Sequence, residues 1–144
     1  MRIPRVAPAF LLVGVLAAAL SLTGCDSDSN DEPTLADVAG AYETTLFTVE
    51  IEGRAVDVLA MGGGLDITLR EDGTASGTLA IPEELNEEGE GDVRLLFGGT
   101  YALSGGEVTF DHEADTFVRD AVWTFHDGTL RAETDEISVI LSKQ

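Results

Sequence analysis

Apolar and polar residues fall into three regimes along this chain. From Val6 to Leu20 the residues are almost continuously apolar, from Asp26 to Pro33 they are polar and acidic, and beyond Gly40 apolar residues recur at alternate positions. Alternation marks a half-buried β-strand, because successive side chains point to opposite faces. Thr34 is placed to cap a short helical turn over Leu35, Ala36, Asp37 and Val38, ended by Gly40. In the first strand region Tyr42, Thr44 and Leu46 share one face while Phe47, Val49 and Ile51 share the other, which predicts a bulge or bend near Leu46. A second strand is predicted over Arg54 to Met61, with Val56 and Val58 on one side, broken by Gly62-Gly63-Gly64.

A hairpin follows: Leu65, Ile67 and Leu69, a turn at Glu71-Asp72-Gly73-Thr74, then Ala75, Gly77, Leu79 and Ile81. Val93, Leu95 and Phe97 precede Gly98-Gly99, Tyr101 and Leu103 precede Gly105-Gly106, and Val108 and Phe110 come next. Both glycine pairs read as tight turns between short strands. Ala121, Trp123 and Phe125 lead into His126-Asp127-Gly128-Thr129, Leu130 and Ala132 follow, and Ile137, Val139 and Leu141 come after Asp135-Glu136. The pattern predicts an all-β domain, an antiparallel up-and-down meander of about eight or nine strands. Meanders of that size relieve their exposed edges by closing into a barrel, the favoured reading here, or by packing as a β-sandwich.

The first regime has the order of an export signal. Arg2 and Arg5 form a positive start, Val6 to Leu20 the apolar stretch, and Leu22-Thr23-Gly24-Cys25 follows. The apolar run is shorter than the roughly 20 residues a membrane-spanning helix needs. Leu22 to Cys25 resembles the lipobox of bacterial lipoproteins at all four positions. That resemblance implies removal of residues 1–24, lipidation of Cys25 with fatty acyl chains such as palmitate, and anchoring to a membrane of the bacterial cell envelope, on its periplasmic or surface-exposed side. Residues 25–33 then form the lipidated cysteine and an acidic tether, and residues 34–144 the β-domain. Cys25 is the only cysteine, so no disulfide is available and stability rests on the core and the sheet.

Charge narrows the partners. The full chain carries −19, and loss of Arg2 and Arg5 with the signal makes the mature part −21. Such a surface repels phosphate backbones, which argues against nucleic acid, and anionic headgroups do not attract it, so the acyl chains supply the anchoring. Acidity of this degree also suits solubility in concentrated salt, where the screening length falls to about 3 Å at 1 M; a solvated acidic surface without that role is the alternative.

Gly40-Ala41-Tyr42, the Glu71-Asp72-Gly73-Thr74 hairpin, and Gly99-Thr100-Tyr101 followed by Val108 and Phe110 resemble bacterial lipocalin-like domains over most of Ala39 to Lys143. Tyr42 stands where the lipocalin Gly-x-Trp motif has Trp, and Lys143 is the only basic residue near the place of the late arginine that stacks on it. The resemblance implies a lipocalin-like barrel whose calyx takes a small hydrophobic ligand. Phe97, Tyr101, Phe110, Trp123 and Phe125 are the aromatic candidates for lining it. Aromatics on alternating strand positions equally make an ordinary packed core.

Catalytic chemistry is sparse. His112 and His126 are the only histidines, and neither sits in a nucleophile elbow or a metalloprotease spacing. Asp111-His112-Glu113 and His126-Asp127 would make a metal site only if their turns share one end of the barrel. Asp26-x-Asp28-x-Asn30 resembles the start of a calcium loop, but Asp31 occupies the turn-glycine position and Asp37 the place of the bidentate Glu, so a plain linker is the simpler reading. The acidic run from Glu83 to Asp92 reads as a long solvated loop. No catalytic residue, metal or cofactor is therefore assigned. Two non-enzymatic functions remain: a tethered module binding a small hydrophobic ligand, and an envelope interaction protein with a filled barrel.

Overall fold

The computed structural model describes residues 32–86 and 91–144. The expected export signal over 1–24, Cys25, the Asp26-Asp28-Asn30 spacing, the expected tether through Asp31 and Glu87 to Glu90 of the acidic run lie outside the described residues. The first element is the predicted helical turn, α1 (Leu35–Val38). Asp37 serves here as the acidic partner of a capping box: its Oδ2 accepts from the Thr34 N–H at 2.8 Å and the Thr34 hydroxyl at 2.6 Å, while Thr34 Oγ1 accepts from the Asp37 N–H. These bonds hold the Asp37 carboxyl below the usual carboxylate range.

Nine strands follow among the described residues: β1 (Gly40–Ile51), β2 (Arg54–Asp57), β3 (Gly64–Leu69), β4 (Thr74–Ile81), β5 (Val93–Ser104), β6 (Glu107–His112), β7 (Trp123–His126), β8 (Thr129–Glu133) and β9 (Ile137–Lys143). All pair antiparallel in one sheet, and β1 also pairs with β9, from Tyr42↔Lys143 to Val49↔Ile137. That pairing closes β1 and β3 to β9 into an eight-stranded up-and-down barrel, the architecture expected, and removes the sandwich alternative. The ninth strand, β2, folds back on the end of β1 where β3 no longer reaches it.

The predicted bulge exists. Against β9 the register of β1 shifts between Thr44 and Leu46, leaving Thr45 as the extra residue. Tyr42 and Phe47, five positions apart, thereby both face the core, and Leu46 turns outward at 37% exposure.

Three expectations are corrected. The second strand stops at Asp57 rather than Met61, because Asp57 Oδ1 accepts the Ala60 N–H at 3.1 Å and the chain turns, driving Val58 into the core. Gly98-Gly99 is not a turn but the middle of β5, whose odd-numbered residues from Val93 to Leu103 keep one inward phase through both glycines. The close neighbour strand explains Gly99: a Cβ there would lie 2.1 Å from the Asp111 carbonyl oxygen. Finally, the C-terminal meander is interrupted by a helical turn, α2 (Phe117–Asp120), so β7 begins at Trp123 and Ala121 precedes it. Asp127-Gly128 and Gly105-Gly106 are two-residue turns with positive φ at both positions, as left-handed hairpin turns require.

All nine strands and the core cluster lie within one compact unit of the described residues. Trp123, Tyr42, Leu65, Ile67, Leu69, Leu130 and Leu141 are its largest fully buried side chains. The antiparallel order puts the turns 70–73, 105–106 and 127–128 at one end with α1, and the turn 52–53, residues 82–86 and 91–92, the connection 113–122 and the turn 134–136 at the other. The α1 end is closed. The Tyr42 hydroxyl donates to the Val38 carbonyl, Lys143 Nζ donates to the Asp37 carbonyl at 2.9 Å, and the Tyr101 hydroxyl donates to the Arg70 carbonyl at 2.7 Å. The Lys143 stem packs against Gly40, and no arginine stands at the end of β9. Burial, and secondarily the nearby Tyr101, pushes the Tyr42 phenol up to about 12.

Candidate functional site

The opposite end is open, and a cavity of about 390 Å³ enters it. Each wall has a local origin. Phe47, Val49 and Ile51 face it because the Thr45 bulge reverses the phase of β1, and Leu79 and Ile81 continue the inward alternation of β4. Leu85 comes from the 3-10 turn Glu83–Leu85, which starts at Pro82 and is held by the Glu83 N–H donating to Asp92 Oδ1 at 3.1 Å. Val58 enters where β2 stops, Phe117 from α2 and Ile137 from the start of β9.

The floor is aromatic. The Phe117 ring lies 5.6 Å from Phe47 and 6.3 Å from Trp123, centroid to centroid, so the packed interior begins directly below the cavity. Polar side chains enter the lining only as Glu50 and Glu136, exposed at the rim and joined through the Glu50 N–H, which donates to the Glu136 carbonyl at 2.6 Å. Apolar walls with a few polar groups at the edge are the composition of a small-molecule site, and the volume lies at the lower end of the roughly 300–1,000 Å³ such sites span. A second cleft of about 260 Å³, lined by Glu43, Asp66, Arg94 and Gly62–Gly64 among others, is mainly polar.

The five aromatic candidates sit elsewhere, and none is among the residues lining this cavity. Phe110 packs edge-on against Trp123 at 6.0 Å, and the Trp123 indole N–H donates to the Val118 carbonyl at 3.2 Å. Phe97 stacks on His112 at 4.8 Å, Tyr101 helps close the α1 end, and Phe125 is half-buried at the end of β7. Four of the five are buried and belong to the packed core, with Phe125 packed against it. The cavity instead uses residues that the alternation placed on strands but not at a mouth, together with Leu85, from the run read as a solvated loop, and Phe117, for which the sequence carries no periodic signal.

The histidines do not meet. His112 continues the inward phase of β6 and is only 7% exposed, not a loop residue; its Nε2 lies 3.5 Å from Thr116 Oγ1, and its Nδ1 has no partner among the described residues. His126 is exposed beside Asp127 at the closed end. The two-turn metal arrangement is therefore not formed, and no group of three or more metal-ligating side chains gathers among the described residues.

No family model and no curated protein matches the chain. Among solved structures, a lipocalin-like protein from Bacteroides uniformis aligns at 18% identity with a TM-score of 0.44, over 75% of this chain and 99% of that one.

Proposed function

We propose that this chain is a lipid-anchored protein of the bacterial cell envelope whose lipocalin-like barrel binds a small hydrophobic ligand at its open end. The observation that carries the reading is the cavity of about 390 Å³ walled by Phe47, Val58, Leu79, Ile81, Leu85, Phe117 and Ile137. Anchoring rests on Cys25 and its lipobox. Two acyl chains, each contributing about 0.8 kcal/mol per buried methylene, hold such a domain at a membrane without help from its acidic surface. The lining offers no serine, threonine, cysteine, lysine or histidine, which supports binding rather than catalysis.

The test has two arms. Cys25→Ala abolishes incorporation of labelled palmitate and leaves an uncleaved precursor; labelling that survives the substitution refutes the anchor. For the ligand, the barrel domain is titrated with a neutral naphthylamine dye that brightens in apolar surroundings. Saturable binding to the parent and its loss in Ile81→Trp and Ile137→Trp, which fill the cavity, are expected. A second reading, an interaction protein without a ligand, draws on the packing of the barrel's interior below Phe117 by its own side chains. Absence of any saturable dye or co-purified lipid favours it.

A further inference from the structure

We propose that the preferred ligand is a cationic amphiphile, an alkyl chain ending in an ammonium group, bound tail inward with its head between Glu50 and Glu136. The inference rests on the reading of the mouth cavity as a ligand site and names the chemistry that site selects. The Phe47–Phe117 floor closes the cavity from below, so a polar group on the ligand is accommodated only at the rim. The rim presents two carboxylates and no cation. Glu50 and Glu136 are fixed beside each other by the backbone bond between them, and neither carboxylate takes part in an ion pair among the described residues.

The surroundings are predominantly of the same sign, although Arg94 is exposed near the start of β5 outside the lining. Glu52, Glu83, Glu84 and Asp135 lie on the connections at this end. Arg119, the one basic residue on those connections among the described residues, is occupied by Asp115 at 2.9 Å and Asp120 at 3.0 Å. Arg54, exposed at the start of β2, is not among the lining residues. A carboxylate head would face this field unpaired, a neutral head would gain nothing from it, and an ammonium head would be attracted without any rearrangement of the walls.

The experiment uses the chain from Asp26 onward, which contains all nine strands and the entire core. Decyltrimethylammonium, decanol and decanoate, which share one tail and differ in the head, are titrated in low salt and again with added salt. The ammonium compound is expected to bind about tenfold or more tightly than decanoate, with decanol between, and added salt shrinks the spread because the Debye length drops below about 10 Å. Glu50→Gln combined with Glu136→Gln removes most of the discrimination while leaving decanol affinity unchanged. Glu71→Gln combined with Glu107→Gln, the same charge change at the closed end, leaves the discrimination intact. If all three compounds bind alike, or if the remote pair of substitutions acts as strongly as the rim pair, the cationic preference is overturned while the cavity remains a ligand site. If none of the three binds, the ligand-site reading itself fails.

Discussion

Two adjacent glycines in β5 respond oppositely to the same substitution. At Gly98 an added Cβ meets nothing nearer than the Ala75 carbonyl oxygen at 3.9 Å, on the exposed face of the sheet. Gly98→Ala therefore recovers the entropy that glycine loses in a strand and stabilises by about 0.5 kcal/mol. At Gly99 the same Cβ lies 2.1 Å from the Asp111 carbonyl oxygen and 2.9 Å from His112 Cβ. The first distance is roughly 1.2 Å short of the ~3.3 Å at which carbon and carbonyl oxygen ordinarily meet. Gly99 pairs with His112 at the last rung between β5 and β6, so relief requires prying the strands apart there. Overpacking costs about 1–3 kcal/mol and a weakened ladder bond about 1 kcal/mol more, which places Gly99→Ala about 2–4 kcal/mol less stable than the parent.

Urea unfolding followed by fluorescence measures both, because Trp123 is the only tryptophan and is fully buried. With a urea slope of about 1–3 kcal/mol per molar, Gly99→Ala lowers the midpoint by roughly 1 M or more, and Gly98→Ala raises it slightly. Equal effects of the two substitutions, or the larger loss at Gly98, would show that the chain turns at the glycine pair instead of running through it.

On the alkaline side, the Tyr42 phenol is held near 12 by burial against an ordinary value of about 10, so its contribution is complete below pH 10 and is lost as pH rises toward 12. Tyr42→Phe should flatten that alkaline loss in thermal melts, at a cost of about 1–3 kcal/mol near neutral pH for the Val38 carbonyl left without its donor; an unchanged alkaline profile contradicts the burial argument. On the acid side, Asp37 and Asp72 are held low by hydrogen bonds from Thr34 and Thr74 respectively, so each contributes stability above its unfolded value that disappears as pH falls below it. Thr34→Ala and Thr74→Ala should each raise the carboxylate titration point seen by NMR, and a titration that does not move would exclude the hydrogen bonds as its cause. Finally, if the net charge of −19 is an adaptation to salt, the urea midpoint rises between low and molar salt as self-repulsion is screened, and no rise refutes it.

Where a feature is written in nearest neighbours, it was legible. The capping of α1 by Thr34, the Asp127-Gly128 turn and the alternation of β3 and β4 depend on local chemistry or on the period of a strand, both carried by adjacent residues. The bulge was legible too, since the change of phase between Leu46 and Phe47 is itself a local pattern. The glycine pair in β5 misled because Gly98-Gly99 is locally a turn signal; the unbroken odd-numbered phase from Val93 to Leu103 was the stronger clue, and the reason for Gly99, the Asp111 carbonyl, belongs to another strand. The end of β2 at Asp57 and the turn of α2 carry no period at all.

The sequence by itself thus determined an all-β meander with an apolar inward face and an acidic exterior. Tertiary structure alone decided that β1 and β9 close the sheet, that the aromatics Phe97, Tyr101, Phe110 and Trp123 are spent on packing, and that the open space lies among Phe47, Leu79, Leu85 and Phe117. The physical reason is that alternation tells which face of a strand is buried, whereas depth along the barrel depends on register and on the bulge at Thr45. Whether an inward residue meets packed neighbours or empty space is settled only when all eight strands are in place.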